Sequence, residues 1–290
     1  RTGRITQAVA DVLKGRSVRR LGVQNEHITL GLYQTLGKTL GKRKLVGFTG
    51  LIAQLRQKKD ETEVRAITKA LRIAEKAFTG LTTGGAKRFV GRTEREIAAE
   101  LDHRMRDLGA ERPAFETIVA AGSNGSRPHH RPGSRRMKRG QAVLIDWGAR
   151  LDGYCCDLTR VVFIGTIPPK LTEMYEIVLA AQKAGISAVR AGRSCKSIDA
   201  AARSVIEVAG FGEQFVHGLG HGLGRDVHEA PRLGRTSDEQ LRAGMIVTVE
   251  PGVYAPGLGG IRIEDDVFVT NKGGRRLSRL PREIETMRLR

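Results

Sequence analysis

The chain has 290 residues, which is enough to bury a full hydrophobic core as one large domain with a smaller companion. Its 50 Lys and Arg residues outnumber its 31 Asp and Glu residues, but aromatic residues make up only 4%, which argues against a stacking surface for single-stranded nucleic acid. No apolar run approaches the roughly 18–20 residues that cross a membrane, and three cysteines do not make a disulfide framework, so we expect a cytoplasmic protein without a membrane partner.

The positive charge is densest at the start of the chain. Residues 1–60 hold 13 Lys and Arg but only 3 Asp and Glu. The candidate site described below lies elsewhere in the sequence. We therefore interpret the charge as solvated surface and do not expect nucleic acid as a partner.

Residues 1–56 are predicted to be a partial α/β domain. Their expected elements are a strand, a helix and a strand, at Val18–Val23, Ile28–Leu40 and Leu45–Phe48. This is too little structure for an independent core. The basic stretch Gln54–Lys59 is the predicted junction with a second domain, residues 57–290.

The second domain opens with two predicted amphipathic helices, Asp60–Phe78 and Thr93–Leu108. Thr93 and Glu96 form the capping-box pattern that begins a helix. A strand at Phe115–Ala121 follows, and then a polar loop at residues 122–133. This loop contains His129 and His130 directly after Pro128, a pattern that by itself is more typical of exposed surface than of a site.

Two apolar runs, residues 142–148 and 154–164, predict a β-hairpin whose strands carry Asp146 and Asp157. A turn at Leu151-Asp152 would place the two aspartates directly opposite each other. A turn at Asp152-Gly153, the favoured sequence for a tight hairpin, would place Asp146 opposite Thr159. In both registers the aspartates share a face, and two close, partly buried negative charges require something positive between them.

The order of elements then repeats. Helices are predicted at Lys170–Ala191 and at Ser197–Ala209, the latter capped by Ser197, and strands at Met245–Val249 and Ile261–Val269. A helix pair followed by strands, twice over, indicates an α+β fold.

Residues 217–229 are the most unusual stretch. They hold three of the seven histidines of the chain together with four glycines. Glycine at this density excludes a helix interior and favours an extended segment that approaches another group closely. The alternative for this stretch alone is a glycine-rich loop with incidental histidines.

Glu250 and Glu264 also lie in or beside apolar, β-branched runs. Buried carboxylates are rare unless they are paired or bind a metal. Four such carboxylates and one histidine, Asp146, Asp157, His221, Glu250 and Glu264, exceed the needs of one tetrahedral zinc. They predict two divalent cations; the oxygen-rich set favours Mn²⁺, with Co²⁺, Fe²⁺ and Zn²⁺ as alternatives.

These motifs resemble the pita-bread metallopeptidases, the group that contains methionine aminopeptidase, aminopeptidase P and prolidase. The resemblance covers about residues 55–275. Three segments are most similar to the Xaa-Pro enzymes: Asp157-Leu158-Thr159-Arg160, Val249-Glu250-Pro251-Gly252-Val253-Tyr254 and Gly260-Ile261-Arg262-Ile263-Glu264-Asp265-Asp266.

The resemblance implies a role for each candidate residue. Asp146, Asp157, His221, Glu250 and Glu264 are the implied metal ligands. His129, which matches the family position better than His130, is an implied catalytic residue with His228 and with Glu250 as proton acceptor. His217 and Arg262 are implied substrate contacts. A purely structural role remains the alternative for His217 and His228.

The resemblance further implies an exopeptidase that acts on peptides with proline in the second position, and a homodimer. Whether it is a dipeptidase or an aminopeptidase is left open, because that depends on how the cleft is closed. The alternatives are an aminopeptidase of other specificity, such as methionine, and a non-catalytic binding protein, for example for RNA. Non-catalytic relatives are expected to lose ligands, and all five are present. One departure from the family is that only about the last third of its N-terminal domain is recognised.

Overall fold

The computed structural model describes residues 2–290, with side chains from residue 5 onward. The chain separates into two compact units between residues 56 and 57. Within the described residues, no helix is both long and apolar enough to cross a membrane.

The first unit is a small α/β structure. Its elements are α1 Thr2–Leu13, β1 Arg20–Gln24, α2 Leu30–Leu40, β2 Lys44–Phe48 and α3 Leu51–Gln57, which ends at the unit boundary. The two strands are parallel, with Arg20 opposite Lys44. The predicted strands and middle helix are confirmed within two residues at each end, whereas α1 and α3 were not predicted. The core of this unit consists of four buried side chains, Leu13, Val23, Leu36 and Leu40.

Four α-helices of the second unit were predicted from the sequence. They are α4 Glu61–Thr82, α5 Glu94–Asp107, α6 Pro169–Ala188 and α7 Cys195–Val208. The predicted capping box at Thr93 and Glu96 is confirmed, and Asp60 forms a second one with Glu63. The predicted cap of α7 was wrong, because Ser194 rather than Ser197 accepts the hydrogen bond from the helix backbone.

The strands of the second unit form four sheets. One has the order β16-β8-β5-β4, one β3-β6-β7, one β10-β9-β11-β14-β15, and one β12-β13. Their bounds are β3 Arg112–Pro113, β4 Ile118–Ala121, β5 Ala142–Trp147, β6 Ala149–Leu151, β7 Tyr154–Cys155, β8 Leu158–Ile164, β9 Gly220–Gly222, β10 Glu229–Leu233, β11 Ile246–Val249, β12 Gly252–Ala255, β13 Gly259–Arg262, β14 Asp265–Val269, β15 Gly274–Arg276 and β16 Arg288–Leu289. The predicted α+β class is confirmed.

The predicted hairpin is present in the second of its two proposed registers. Asp146 is paired with Thr159 across β5 and β8. The turn is Asp152-Gly153, and both residues have positive φ angles, 51° and 78°, as a tight hairpin turn requires. By contrast, the single strand predicted at Ile261–Val269 is two strands, β13 and β14, which belong to different sheets.

The core of the second unit lies between the helices and these sheets. Phe78 of α4 stacks on Trp147 of β5, with ring centroids 4.5 Å apart, and the indole N–H donates to the carbonyl of Ala74 at 3.0 Å. This packing fixes β5 against α4. Asp146, the residue before Trp147, therefore projects from a rigid strand.

Candidate metal centre

The five predicted ligands come from strands or strand ends of two sheets. Asp146 lies in β5, and Asp157 directly precedes β8. His221 is the central residue of β9, Glu250 follows β11, and Glu264 lies between β13 and β14. All five side chains line one cavity of about 2030 Å³.

Three of the ligands are close enough to share one ion. Each of Asp157, His221 and Glu264 offers a ligand atom, and these atoms all lie within 4.8 Å of one another. His221 Nε2 is also 3.3 Å from Glu250 Oε1 and 3.8 Å from Asp157 Oδ2. Asp146 is near enough for its charge to raise the pKa of Asp157.

Three carboxylates of the site each have an oxygen atom without a hydrogen-bond partner in the part of the chain that the structure describes, and a bound cation would pair with these oxygens. One oxygen each of Asp146, Asp157 and Glu264 is buried without a hydrogen-bond partner among the described residues. Burial, and then the neighbouring carboxylates, raise the pKa values of Asp157 and Glu264 well above their usual range. Buried polar atoms are normally paired, so these oxygens fit the ligand positions of divalent metal ions.

The orientation of His221 suits a ligand. Its Nδ1 donates to the carbonyl of Gly222 at 3.1 Å, which directs Nε2 at the acidic cluster; there Nε2 donates to Glu250 when it is protonated and offers its lone pair to a metal ion when it is not. Gly220 and Gly222 allow this placement, because a Cβ at either position would collide with a backbone carbonyl, that of Thr248 or of Ala230. The glycine-rich pattern therefore has a steric cause.

Thr248 connects His221 and Glu250. Its hydroxyl accepts a hydrogen bond from the His221 backbone N–H at 3.0 Å and donates to Glu250 Oε1 at 3.2 Å. Burial opposes ionisation of Glu250, but the hydrogen bond and charge of His221 lower its pKa to about 2. Glu250 is therefore ionised at neutral pH.

Arg262 occupies the centre of a second set of contacts. Its Nη2 pairs with Asp146, its Nε donates to Thr159 Oγ1 at 3.0 Å, and its Nη1 donates to Tyr254 OH at 2.8 Å. The Thr159 hydroxyl in turn donates to Glu264 Oε2 at 2.7 Å. The guanidinium is thus a fixed positive charge within the acidic cluster.

His217 is linked to Arg262 through Tyr254. The imidazole Nδ1 donates to the carbonyl of Gly218 at 2.7 Å, so Nε2 accepts from the Tyr254 hydroxyl at 2.8 Å. Burial is the main reason that the pKa of His217 is lowered, and the imidazole is therefore neutral. Tyr254 was not predicted to be functional, although it ends one of the segments that carry the family resemblance.

The backbone of residues 215–219 is held by an ion pair on α7. Arg203 and Asp199 are buried, with Nε and Oδ2 2.7 Å apart. Arg203 donates to the carbonyls of Phe215 and His217, and Asp199 accepts from the backbone N–H of Leu219 at 3.0 Å. Sequence reasoning missed this pair, since an i, i+4 ion pair is usually a surface feature of a helix.

Three further histidines, His129, His130 and His228, differ in whether they line the cavity. His129 and His228 line the cavity. The His228 ring packs edge-on against His221, with centroids 4.3 Å apart. His130 instead is buried and pairs with Glu94 at 2.8 Å. His129 rather than His130 thus lines the cavity that the predicted ligands line.

Known family profiles match most of the chain. The profile described as metallopeptidase family M24 matches residues 65–271. The profile described as the Creatinase/Prolidase N-terminal domain matches residues 2–58.

Similar proteins and structures agree with these profiles. The Xaa-Pro dipeptidase of Pyrococcus horikoshii is 38% identical over 267 residues, which are 92% of this chain and 75% of that protein. The crystal structure of X-Pro aminopeptidase from Thermotoga maritima superposes with a TM-score of 0.91 at 37% identity, over 96% of this chain and 78% of that one. The Xaa-Pro dipeptidase from Bacillus anthracis has a TM-score of 0.92 at 36% identity, over 98% and 79% of the two chains.

Proposed function

This chain belongs to metallopeptidase family M24, and on that premise we propose that it hydrolyses the peptide bond between an N-terminal residue and a following proline. The predicted pita-bread fold is confirmed by the structural matches. One observation carries the proposal: five candidate metal-ligand side chains, of which Asp146, Asp157 and Glu264 each have a buried oxygen without a hydrogen-bond partner among the described residues, line a cavity that His129, His217 and His228 also line. Residues 57–290 form the catalytic domain in this proposal.

The donor set fits two divalent cations held by Asp146, Asp157, His221, Glu250 and Glu264. Such a pair of cations, when bound, activates a water molecule and polarises the substrate carbonyl. A set of four carboxylates and one imidazole suits Mn²⁺ better than it suits metals that prefer thiolate ligands. We therefore infer Mn²⁺. Titration calorimetry with Mn²⁺, Co²⁺, Fe²⁺ and Zn²⁺, followed by activity with each, tests this choice.

Glu250 is the base in the proposed reaction. Its carboxylate is ionised and takes a proton from the attacking water as the new C–O bond forms on the carbonyl carbon. The proton then passes to the proline nitrogen, the C–N bond breaks, and proline leaves as a secondary amine. The departure of the proline nitrogen depends on this protonation, because an unprotonated nitrogen would have to leave as an unstable amide anion.

The cavity histidines and Arg262 assist this step. His129 and His228 line the cavity, and in this proposal an N–H of either stabilises the negative charge that develops on the carbonyl oxygen. Arg262 lines the cavity as a fixed positive charge, and its contact with Tyr254 orients His217. We therefore assign substrate contacts to His217 and Arg262 and catalytic roles to His129 and His228.

The test is hydrolysis of three peptides: Ala-Pro, Ala-Pro-Ala and the control Ala-Ala. With Mn²⁺ we expect cleavage of a proline peptide but not of Ala-Ala, and loss of cleavage after chelation. Asp157→Asn should lose both metal and activity. Asp152→Asn is the matched control, because Asp152 is an exposed turn residue on the same hairpin and asparagine tolerates its positive φ angle. A parent protein that binds Mn²⁺ but cleaves neither proline peptide would refute the proposed function.

We also infer a homodimer that acts in the cytoplasm. The dimer rests on the resemblance to the Xaa-Pro enzymes, and light scattering behind a sizing column tests it. The cytoplasmic setting rests on the cysteines: Cys155, Cys156 and Cys195 are buried and free, which suits a reducing compartment. Fractionation of the source cells tests that setting.

A further inference from the structure

Glu94 is a buried carboxylate at the start of α5 that has no part in capping its own helix. The capping box uses Glu96, whereas the Glu94 side chain is fully buried and reaches the loop of residues 121–133. Its Oε1 accepts from the Ala121 N–H and from Asn124 Nδ2, both at 2.8 Å. Its Oε2 accepts from the Gly133 N–H at 3.0 Å and from His130 Nε2 at 2.8 Å.

These four donors satisfy both oxygens of one carboxylate. Burial raises the pKa of Glu94, but the hydrogen bonds outweigh burial and the pKa is lowered, so the group is ionised. Glutamine cannot satisfy all four, because its NH₂ group would face the backbone N–H of either Ala121 or Gly133 in both orientations of the amide. Glu94 therefore ties together both ends and the middle of the loop.

His129 lies inside the segment that Glu94 holds. Among the described residues no hydrogen bond reaches the His129 imidazole, so its backbone neighbours determine where the ring lies. On one side, the Pro128 carbonyl accepts from Arg262 Nη1 at 3.4 Å. On the other side, His130 is anchored to Glu94. The ring between these anchors lines the cavity.

We propose that Glu94 and His130 form a positioning pair that holds His129 at the reaction centre, an inference that rests on the proposed function. Neither residue touches the substrate. A displacement of a catalytic group by about 1 Å can lower the rate by about 100-fold, so the pair should act on turnover rather than on metal binding.

The test is a double-mutant cycle with Glu94→Gln and His129→Ala. Alone, Glu94→Gln should lower kcat by about 10- to 100-fold, with KM and the bound Mn²⁺ little changed. In the His129→Ala background it should change kcat by less than about twofold, since coupled residues are not additive. An equal loss of kcat in both backgrounds would refute the positioning role. Glu100→Gln is the matched control on α5, because Glu100 pairs with Arg88, Arg92 and Arg104 and not with the loop.

A second pair of variants serves if Glu94→Gln does not fold. His130→Gln keeps a donor to Glu94 and should recover most of the turnover that His130→Leu loses; equal turnover in the two variants would refute the proposal.

An NMR measurement that does not depend on catalysis separates this inference from the proposed function. In protein labelled with ¹⁵N-histidine, the ring signals of His129 should shift or broaden in His130→Leu but not in Glu100→Gln, even if the parent cleaves no Xaa-Pro peptide. Unchanged His129 signals would refute the positioning role alone.

Discussion

Replacing Thr159 by valine tests whether the centre is built on hydrogen bonds rather than on packing. The Thr159 side chain is fully buried. Its hydroxyl donates to Glu264 Oε2 at 2.7 Å and accepts from Arg262 Nε at 3.0 Å. Valine has nearly the same shape, so the substitution removes both hydrogen bonds without opening a cavity.

The expected loss follows from the two groups left behind. A buried polar group without its partner costs about 1–3 kcal/mol, so two such groups cost roughly 2–6 kcal/mol of unfolding free energy. No other hydrogen bond compensates Glu264 for the one that is lost, because its other oxygen is already buried without a partner among the described residues. A hydrogen bond to a metal ligand also supports metal affinity, so Mn²⁺ should bind about 10- to 100-fold more weakly.

Urea unfolding of chelator-treated protein measures the free energy. Trp147 is the only tryptophan of the chain, and its fluorescence reports on the second unit. Thr159→Ser is the control, since it keeps the hydroxyl and loses one methyl group, at a cost of about 1 kcal/mol. Titration calorimetry then gives the Mn²⁺ affinity of each variant. If Thr159→Val were as stable as Thr159→Ser and bound Mn²⁺ equally well, the hydrogen-bond argument would fail.

Three further predictions address other parts of the site. His129→Ala should keep both metal equivalents by mass spectrometry but lose about 10²–10⁴-fold in kcat; wild-type turnover would show that the loop histidine was misassigned. Tyr254→Phe removes the hydroxyl that joins Arg262 to His217, so KM for Ala-Pro should rise with metal content unchanged, and an unaltered KM would contradict the link. Because the pKa of Glu94 is lowered from 4.5, its stabilising contribution is present above pH 4.5 and is lost as the pH falls through the folded-state pKa; unfolding free energies measured from neutral to acidic pH should therefore fall less steeply in Glu94→Gln. Equal slopes in the two proteins would exclude Glu94 as a source of acid sensitivity.

Much of the scaffold around the site was predictable because local chemistry and tertiary structure agree. The Asp152-Gly153 turn determines the register of β5 and β8, and that register places Asp146 and Asp157 on one face. Carboxylates within apolar strands pointed to Asp146 and Glu250 without knowledge of their neighbours. The capping box at Thr93 likewise located the start of α5 to within a residue.

The connections between ligands were not predictable, because they join distant parts of the chain. The link from Arg262 through Tyr254 to His217 depends on how β12, β13 and the glycine-rich stretch meet in space. Strand periodicity also could not show that the run Ile261–Val269 divides. It divides at Glu264, whose side chain turns to the metal centre while its backbone N–H donates to the Thr159 carbonyl at 3.2 Å.

Glu94 illustrates a different limit. Four glutamates lie in the first turns of α4 and α5, and an acidic residue in the first turn of a helix is ordinarily a favourable partner for the helix dipole. The sequence already indicated that Glu96 caps α5, but only the structure shows that Glu94 turns inward. The roles assigned to the nine candidate site residues remain predictions.

The steric confinement of His221 has a consequence for protein engineering. Gly220 and Gly222 cannot accept a side chain, so the strand that carries the imidazole offers no positions for altering substrate preference by mutagenesis. Val216 also lines the cavity, but its side chain is 65% exposed. A library that diversifies the rim around Val216 can therefore change which peptides enter, while the strand with His221 preserves the chemistry that acts on them.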